Sequence, residues 1–529
     1  MNYNLNGIKM LNGDINIMTK SILDYLERAA ARYPDKTAVS DQNMSMTYKE
    51  LSEVSDKIGA ALTKVVQPKS PVPVYMDKSC NALALFMGIV KAGCFYIMLD
   101  PSHPAGRIDM ILETLDAKVC FVNDKTIKKS QNLNFTGDVL LDETYFNHDV
   151  TEQERKQLAK IRNEALDIDS LYSIFTSGST GTPKGVIVNH RSVIDFIECF
   201  TETFNITSED VIGNQAPFDF DVSVKDIYST LKTGATMEII PKQYFSFPTK
   251  LLDYLDDRKV TTLVWAVSAL CIVTTLNGFE YKIPRFIDKV IFSGEVMPIK
   301  HLNKWREHYP QAMFVNVYGP TEITCNCTYY IVDRDYDLDE TLPMGKAFPN
   351  ERVFLLDEDD KLITSDKHNV IGEICVSGTA VTMGYYNNKE KTEQAFVQNP
   401  LNKAYNEIIY RTGDLGYYNK EGMMCFSSRK DFQIKHMGHR IELGEIEMAI
   451  NAENDVLRAC CIFDKDNNKI LGFYEGSATK KAITHELMLK IPKYMLPSEL
   501  IHVDSMPITK NGKIDRKVLM ERYEAENNG

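Results

Sequence analysis

Short apolar runs separated by amphipathic stretches recur along this chain, and no other feature limits its fold as tightly. Pro73–Met76, Val119–Val122, Leu171–Phe175, Thr262–Val267, Val290–Phe292 and Phe314–Tyr318 read as strands. Stretches with helical spacing lie among them. The first, Ile22, Tyr25, Leu26, Ala29, Ala30 and Tyr33, is stopped by Pro34. This alternation predicts an α/β architecture with largely parallel sheets. In open sheets of that kind ligands bind where strands end. Several of the runs lead straight into loops of small and polar residues, so chemistry is expected there.

The 529 residues leave room for about three to five folding units. Hydrophobic residues at 44% and charged residues at 25% exclude a disordered, collagenous or disulfide-miniprotein chain. After Arg429-Lys430-Asp431 a new alternation begins: a strand-like Phe432–Lys435, a Gly438 turn, then Ile441-Glu442-Leu443 entering a helix through Ile450. The expected organisation is a large N-terminal body of several β-sheets with packed helices over 1–428, and a small α+β C-terminal domain over 429–529.

Lys and Arg total 60 against 73 Asp and Glu, a formal charge of −13. A nucleic-acid binder is basic or carries a basic stripe. This chain shows neither, so no nucleic-acid partner is expected. An anionic ligand would have to be held locally, by backbone N–H groups and a few placed lysines. The 11 cysteines have neither disulfide nor zinc spacing, which predicts reduced thiols in a cytoplasmic protein. Met1–Leu23 lacks a signal-peptide pattern. Lys91 and two glycines interrupt the longest apolar stretch, Ala82–Leu99, so no membrane span is expected.

Four motifs carry chemistry. The first is Thr176-Ser177-Gly178-Ser179-Thr180-Gly181-Thr182-Pro183-Lys184-Gly185, directly behind the apolar run Leu171–Phe175. Its glycines let backbone N–H groups turn toward a phosphate, its hydroxyls add donors, and Lys184 adds a charge. It is not a Walker loop, because Pro183 stands where the second glycine belongs and Gly185 where Ser or Thr belongs. The second is Tyr318-Gly319-Pro320-Thr321-Glu322, with a flat ring for a base and a hard oxygen for Mg²⁺. The third is Tyr410-Arg411-Thr412-Gly413-Asp414, whose aspartate can accept ribose hydroxyls. The fourth is Lys510-Asn511-Gly512-Lys513, a tight turn presenting Lys513.

Together with Met46–Leu51, Lys91-Ala92-Gly93, Leu99-Asp100-Pro101, Phe220–Asp226, Gly372-Glu373-Ile374 and Gly438–Glu447, these motifs give a resemblance that covers nearly the whole chain. It resembles the amino-acid adenylation domains of non-ribosomal peptide synthetases and the related D-alanine–carrier-protein ligases, within the superfamily of acyl-CoA synthetases, adenylation domains and luciferases. The resemblance implies two steps. ATP and an amino acid give aminoacyl-AMP and pyrophosphate, and the phosphopantetheine thiol of a carrier protein then takes the aminoacyl group.

It also implies roles. Thr176, Ser177, Gly178, Ser179, Thr180, Gly181 and Lys184 would hold phosphates. Tyr318 and Thr321 would hold the nucleoside with Asp414 and Arg429 at the ribose, and Glu322 would hold Mg²⁺. Lys513 would bridge the attacking carboxylate and the α-phosphate, and Asp431 would be the hinge of a mobile small domain. Rotation there would withdraw Lys513 and bring in Lys435 and the Gly438 loop. Ser428 stands where the family usually has glycine before the hinge.

The resemblance further implies a substrate pocket of Phe220, Asp221, Val222, Lys225, Trp265, Ile291, Ser293, Val317, Cys325 and Asn326. Asp221 would pair with the α-ammonium, which favours an amino acid over an aryl or fatty acid. Lys225 has two readings. Inward, it calls for a substrate carboxylate, hence glutamate or aspartate. Outward, it leaves a small apolar pocket narrowed by Trp265. The alternatives to a carrier-protein ligase are an acyl-CoA synthetase and a non-catalytic nucleotide-binding module. With no Asp-Ser or His-Ser attachment motif after Arg516, the carrier is expected in trans, or the chain is one domain of a longer synthetase.

Overall fold

The protein, seen in a computed structural model, is described over residues 18–178, 181–338, 340–509 and 514–527. A nine-stranded sheet forms the centre. In order across it lie Lys346–Ala347, Thr328–Ile331, Met313–Tyr318, Lys289–Ser293, Thr262–Ala266, Val211–Asn214, Thr236–Ile239, Thr37–Ser40 and Ser45–Thr47. The run from Met313–Tyr318 to Thr37–Ser40 is parallel, and antiparallel strands flank it at both ends. A six-stranded sheet orders Asp138–Leu141, Val119–Val122, Pro71–Tyr75, Phe95–Leu99, Ser170–Thr176 and Lys184–Asn189, parallel except for its last pair. That last pair is the hairpin whose turn is the phosphate-type loop.

The apolar runs thus form the expected parallel strands. A third sheet departs from that expectation: Leu362–Ile363, Glu351–Leu356, Gly372–Gly378, Ile408–Tyr418, Phe396–Gln398 and Met424–Arg429 pair antiparallel throughout. Antiparallel neighbours need no parallel crossover, and most of these strands are joined by loops, although the helix Lys389–Ala395 lies between Gly372–Gly378 and Phe396–Gln398. The stretch Ala82–Leu99 divides into a buried helix, Cys80–Lys91, and the buried strand Phe95–Leu99. No described helix is long and apolar enough to cross a membrane.

Side-chain alternation splits the core on the two faces of the nine-stranded sheet. Val264, Ile291, Val315 and Val317 pack on one face with the helix Val222–Thr233. Leu263, Trp265, Val290, Phe292 and Phe314 pack on the other. The helix Val222–Thr233 is buried along most of its length and ends on Gly234, whose φ of 76° is the left-handed conformation glycine takes at helix ends.

Beyond Asp431 come the hairpin Gln433–His436/His439–Glu442, the helix Leu443–Asn451, and a three-stranded sheet of Val456–Asp464, Lys469–Gly476 and Glu499–His502. These elements enclose apolar cores of their own, one of them around Ile446, Ile450, Ile483 and Leu487. They meet the rest of the molecule through Arg107 on the helix Ala105–Leu115, which forms a buried ion pair with Glu445.

Candidate active site

Strand ends and the Gly438 hairpin converge on one cleft of about 550 Å³, its open mouth included. Phe220, Asp221, Val222, Lys225, Ser293, Thr321, Cys325, Asn326, Asp414, Arg429 and Lys435 all line it, although the sequence scatters them over more than two hundred positions.

On the nucleotide side, Tyr318 closes the strand Met313–Tyr318 and donates its hydroxyl to Asp414 Oδ2 at 2.5 Å. Asp414 lies opposite Arg429 across two antiparallel strands and is ion-paired to it. Arg429 also donates to both oxygens of Asp431, at 2.7 and 2.9 Å. Burial and the Asp414 charge together drive the Tyr318 phenol far above its ordinary pKa, so it stays a donor. Lys435 Nζ sits 5.2 Å from the centre of the Tyr318 ring.

Glu322 occupies a short turn after this strand and has no exposed surface. Its Oε1 accepts from Tyr385 at 2.7 Å and lies 3.3 Å from Lys184 Nζ. Its Oε2 accepts from Arg440 at 2.7 Å. Burial alone would raise its pKa, but Arg440 and Lys184 hold it far below the carboxylate range. Thr176 Oγ1 is buried with no hydrogen-bond partner among the described residues. Lys184 pairs with Thr176 across the hairpin and faces Glu322, and the buried carboxylate and orphaned hydroxyl on either side of it are the oxygen donors that Mg²⁺ prefers.

The loop after Thr176 is built for close approach. A Cβ on Gly178 would stand 2.1 Å from the Thr182 carbonyl oxygen, and Gly181 has φ +75°. Ser177 Oγ donates to the Arg440 carbonyl at 2.9 Å and accepts from the Glu442 N–H at 3.3 Å. Ser179, Thr180 and Lys513 lie outside the described residues.

On the opposite side, Asp221 begins the helix Val222–Thr233 without capping it through its side chain. Burial raises its pKa, and a hydrogen bond from Thr321 opposes the rise. Lys225 stands one turn further along, 1% exposed, and points inward. Its ammonium donates to Asn326 Oδ1 at 2.8 Å and approaches Ser293 Oγ at 3.4 Å. Burial lowers its pKa, with the Asp221 and Asp226 charges pulling the other way. Thr324 and Cys325 take positive φ of 53° and 75°, and this kink precedes Asn326.

Three expected pocket residues are elsewhere. Trp265 faces the far side of the sheet, where its Nε1–H donates to the Gly213 carbonyl at 2.8 Å. Pairing of Ala266 with Ser293 puts Ala266, one residue on, on the cleft side. Ile291 and Val317 share the face of Ser293 but are packed into the core rather than on the cleft wall.

The Gly438 loop, which sequence reasoning did name, reaches the site, and so do Glu295, Tyr385 and Gln433, which it did not single out. Gly438, at φ +80°, donates its N–H to Glu295 Oε1 at 2.7 Å. Tyr385 and Gln433 are ordinary residues in the sequence, and only spacing in three dimensions joins them to Glu322 and Arg440. Arg440 lies inside a matched motif, but nothing in the motif says what it touches.

This geometry agrees with comparisons to known proteins. The model of the AMP-binding enzyme family matches residues 26–386. The chain belongs to the AMP-binding enzyme family. This AMP-binding enzyme is 31% identical to zwittermicin A synthase ZmaJ of Bacillus cereus, over 95% of both chains. It is 32% identical to the D-alanine–D-alanyl carrier protein ligase of Bacillus mycoides strain KBAB4, over 95% of this chain and 100% of the ligase. Against tyrocidine synthase 1 of Brevibacillus parabrevis it is 30% identical over 95% of its length, but spans only 45% of that relative.

Its fold matches the holo form of PA1221, a non-ribosomal peptide synthetase protein with adenylation and carrier domains bound to a vinylsulfonamide inhibitor. The TM-score is 0.80 at 22% identity, covering 95% of this chain and 84% of that one. IdnL1 gives 0.78 at 23% identity, over 93% and 100%. The AMP-binding enzyme is therefore an adenylate-forming ligase that uses ATP.

Proposed function

We propose that the enzyme activates an amino acid with an acidic side chain, aspartate or glutamate, and transfers it to the phosphopantetheine thiol of a carrier protein. The observation that carries the substrate reading is Lys225. Among the described residues its hydrogen-bonding neighbours are the neutral Asn326 and Ser293. The Asp221 and Asp226 charges act on this buried ammonium only from a distance, so among these residues it has no carboxylate in direct contact, and a substrate carboxylate supplies one. Asp221, one turn earlier on the same helix face, offers the matching site for the α-ammonium. Two observations favour this reading over a small apolar substrate: Lys225 is turned inward, and Trp265 packs on the far side of the sheet.

In the first step the α-carboxylate oxygen attacks the α-phosphorus of ATP, and the bond to the β-phosphate oxygen breaks. Asp414 would hold the ribose, with Tyr318 and Arg429 fixing its orientation. Lys184 and the backbone of the Thr176–Gly185 loop would hold the departing pyrophosphate. Lys513 would stand between the two approaching anions. Bound at Glu322 and Thr176, Mg²⁺ would neutralise phosphate charge.

In the second step the thiolate attacks the acyl carbon and AMP leaves. We place the boundary of the small domain near residue 429 and its hinge at Asp431. The contacts of Lys435 and Gly438 inside the cleft support the observed arrangement as the one for the second step. Names of relatives that include carrier-protein ligases support the acceptor assignment over coenzyme A.

Pyrophosphate exchange into ATP, measured across the twenty standard amino acids plus D-alanine, tests this reading. Exchange with aspartate or glutamate is expected. No exchange with any amino acid would leave the non-catalytic alternative standing. Acyl transfer to coenzyme A but not to a holo-carrier protein would favour the acyl-CoA synthetase alternative.

A further inference from the structure

Among the described residues, every side-chain partner of Glu322 comes from one of two places. Tyr385 and Lys184, on Oε1, belong to the same body as Glu322: Tyr385 bridges to Val186 on the strand that Lys184 begins. Arg440, on Oε2, belongs to the Gln433–Glu442 hairpin. Its Nε donates to Gln433 Oε1 at 2.6 Å within that hairpin. Its carbonyl and the N–H of Glu442 are both tied to Ser177. Were the hairpin to move away, Oε1 would keep its partners and Oε2 would lose its own.

We propose that Arg440 and the divalent cation are alternative partners of Glu322 Oε2, so that docking of the Gly438 hairpin and retention of metal-bound pyrophosphate exclude one another. The proposal rests on the nucleotide reading above. Departure of the cation would leave one oxygen of a fully buried carboxylate without a counter-charge, which is costly. Arg440 meets that need only in the docked arrangement. Arg440 is then a positioning residue for the second step, and Tyr385 keeps Glu322 oriented in both steps. The enzyme cannot assemble its thiol-accepting geometry while the product of the first step is still held by the metal.

The test uses the full chain and α,β-methylene-ATP, with Mg²⁺ or with EDTA. Calorimetry gives affinity, and hydrogen exchange follows the amides of 436–442. In the wild type the Gly438 and Glu442 amides should be protected without ligand, stay protected with analogue plus EDTA, and lose protection with analogue plus Mg²⁺. Arg440→Gln should bind the Mg²⁺ complex about tenfold more tightly, because the competing docked state is depleted, with EDTA affinity unchanged. Arg440→Lys should fall between the two.

Protection of 438–442 that survives saturation with the Mg²⁺ complex would overturn the proposal. So would equal Mg²⁺-dependent affinity in wild type and a folded Gln variant. If that variant does not fold, the wild-type exchange data decide the matter. A wild type that binds no analogue at all would remove the nucleotide reading itself, and the proposal with it.

Discussion

Replacing Lys225 by methionine separates substrate recognition from stability. The lysine ammonium is 1% exposed and bonds to Asn326 at 2.8 Å, with Ser293 at 3.4 Å. Methionine keeps most of the chain length and removes the charge. Without substrate, the change deletes a buried cation that lacks a hydrogen-bonded counter-ion, and such replacements are often neutral or stabilising. With an acidic substrate bound, it leaves a carboxylate buried without its cation, at about 3–5 kcal/mol. At about 1.4 kcal/mol per decade that is a loss of roughly 10² to 4 × 10³ in kcat/KM. Exchange assays with aspartate and glutamate should fall by that factor, and asparagine and glutamine should gain relative to them. The melting temperature should hold or rise. Activation of both acidic substrates at wild-type efficiency would refute the ion pair. A strongly destabilised variant would show instead that the Lys225–Asn326 bond serves the fold.

Three further outcomes are expected. Lys513→Ala should abolish pyrophosphate exchange while thioester formation from supplied aminoacyl-AMP is largely retained; equal loss in both assays would remove Lys513 from the first step alone. Gly438→Ala should do the reverse. Its Cβ would stand 3.1 Å from that of Ala266 at φ +80°, a conformation costing a non-glycine residue about 1–2 kcal/mol; thioester formation should fall about tenfold while exchange changes little. Glu351 is driven up to about 8 by burial, and its Oε2 has no partner among the described residues. The folded state therefore holds a proton that the unfolded state has released, and stability falls as pH rises from the ordinary glutamate value to about 8. Glu351→Gln should flatten that dependence and raise the melting temperature at pH 8 and above, read by scanning fluorimetry across pH.

Strands and motif loops were legible because each rests on local chemistry: apolar runs for buried strands, glycines and hydroxyls for a tight anion-binding loop. What escaped depends on register or on distant packing. Trp265 is large and apolar and falls one residue from the cleft, and in a strand one residue is the opposite face. The antiparallel third sheet gives no parallel-strand signature because strands such as Ile408–Tyr418 mix polar and apolar residues. Tyr385 and Arg440 approach Glu322 across 63 and 118 positions, and no spacing rule links side chains over such intervals. Lys225 was visible as a pocket residue, but its direction was undecided until the burial of the helix Val222–Thr233 closed the outward route.

The formal charge of −13 says little about ligands because the cations that matter are inside. Among the described residues of the nucleotide side, Lys184 and Arg440 are matched by Glu322, and Arg429 by Asp414 and Asp431. Lys435 lies over the Tyr318 ring, with Asp414 supporting its charge. A polyphosphate arriving there meets cations already neutralised by carboxylates. It must either displace those contacts or bring its own counter-ion, which is the situation that makes Glu322 an exchange point between Arg440 and a metal. The amino-acid side is different. Lys225 has only neutral hydrogen-bond acceptors, so its charge can be satisfied by the substrate without breaking an existing ion pair. Recognition of an acidic side chain therefore adds a direct ion pair to a lysine that Asp221 and Asp226 support only from a distance. The same argument predicts weak discrimination between aspartate and glutamate, because the flexible lysine stem can follow either carboxylate.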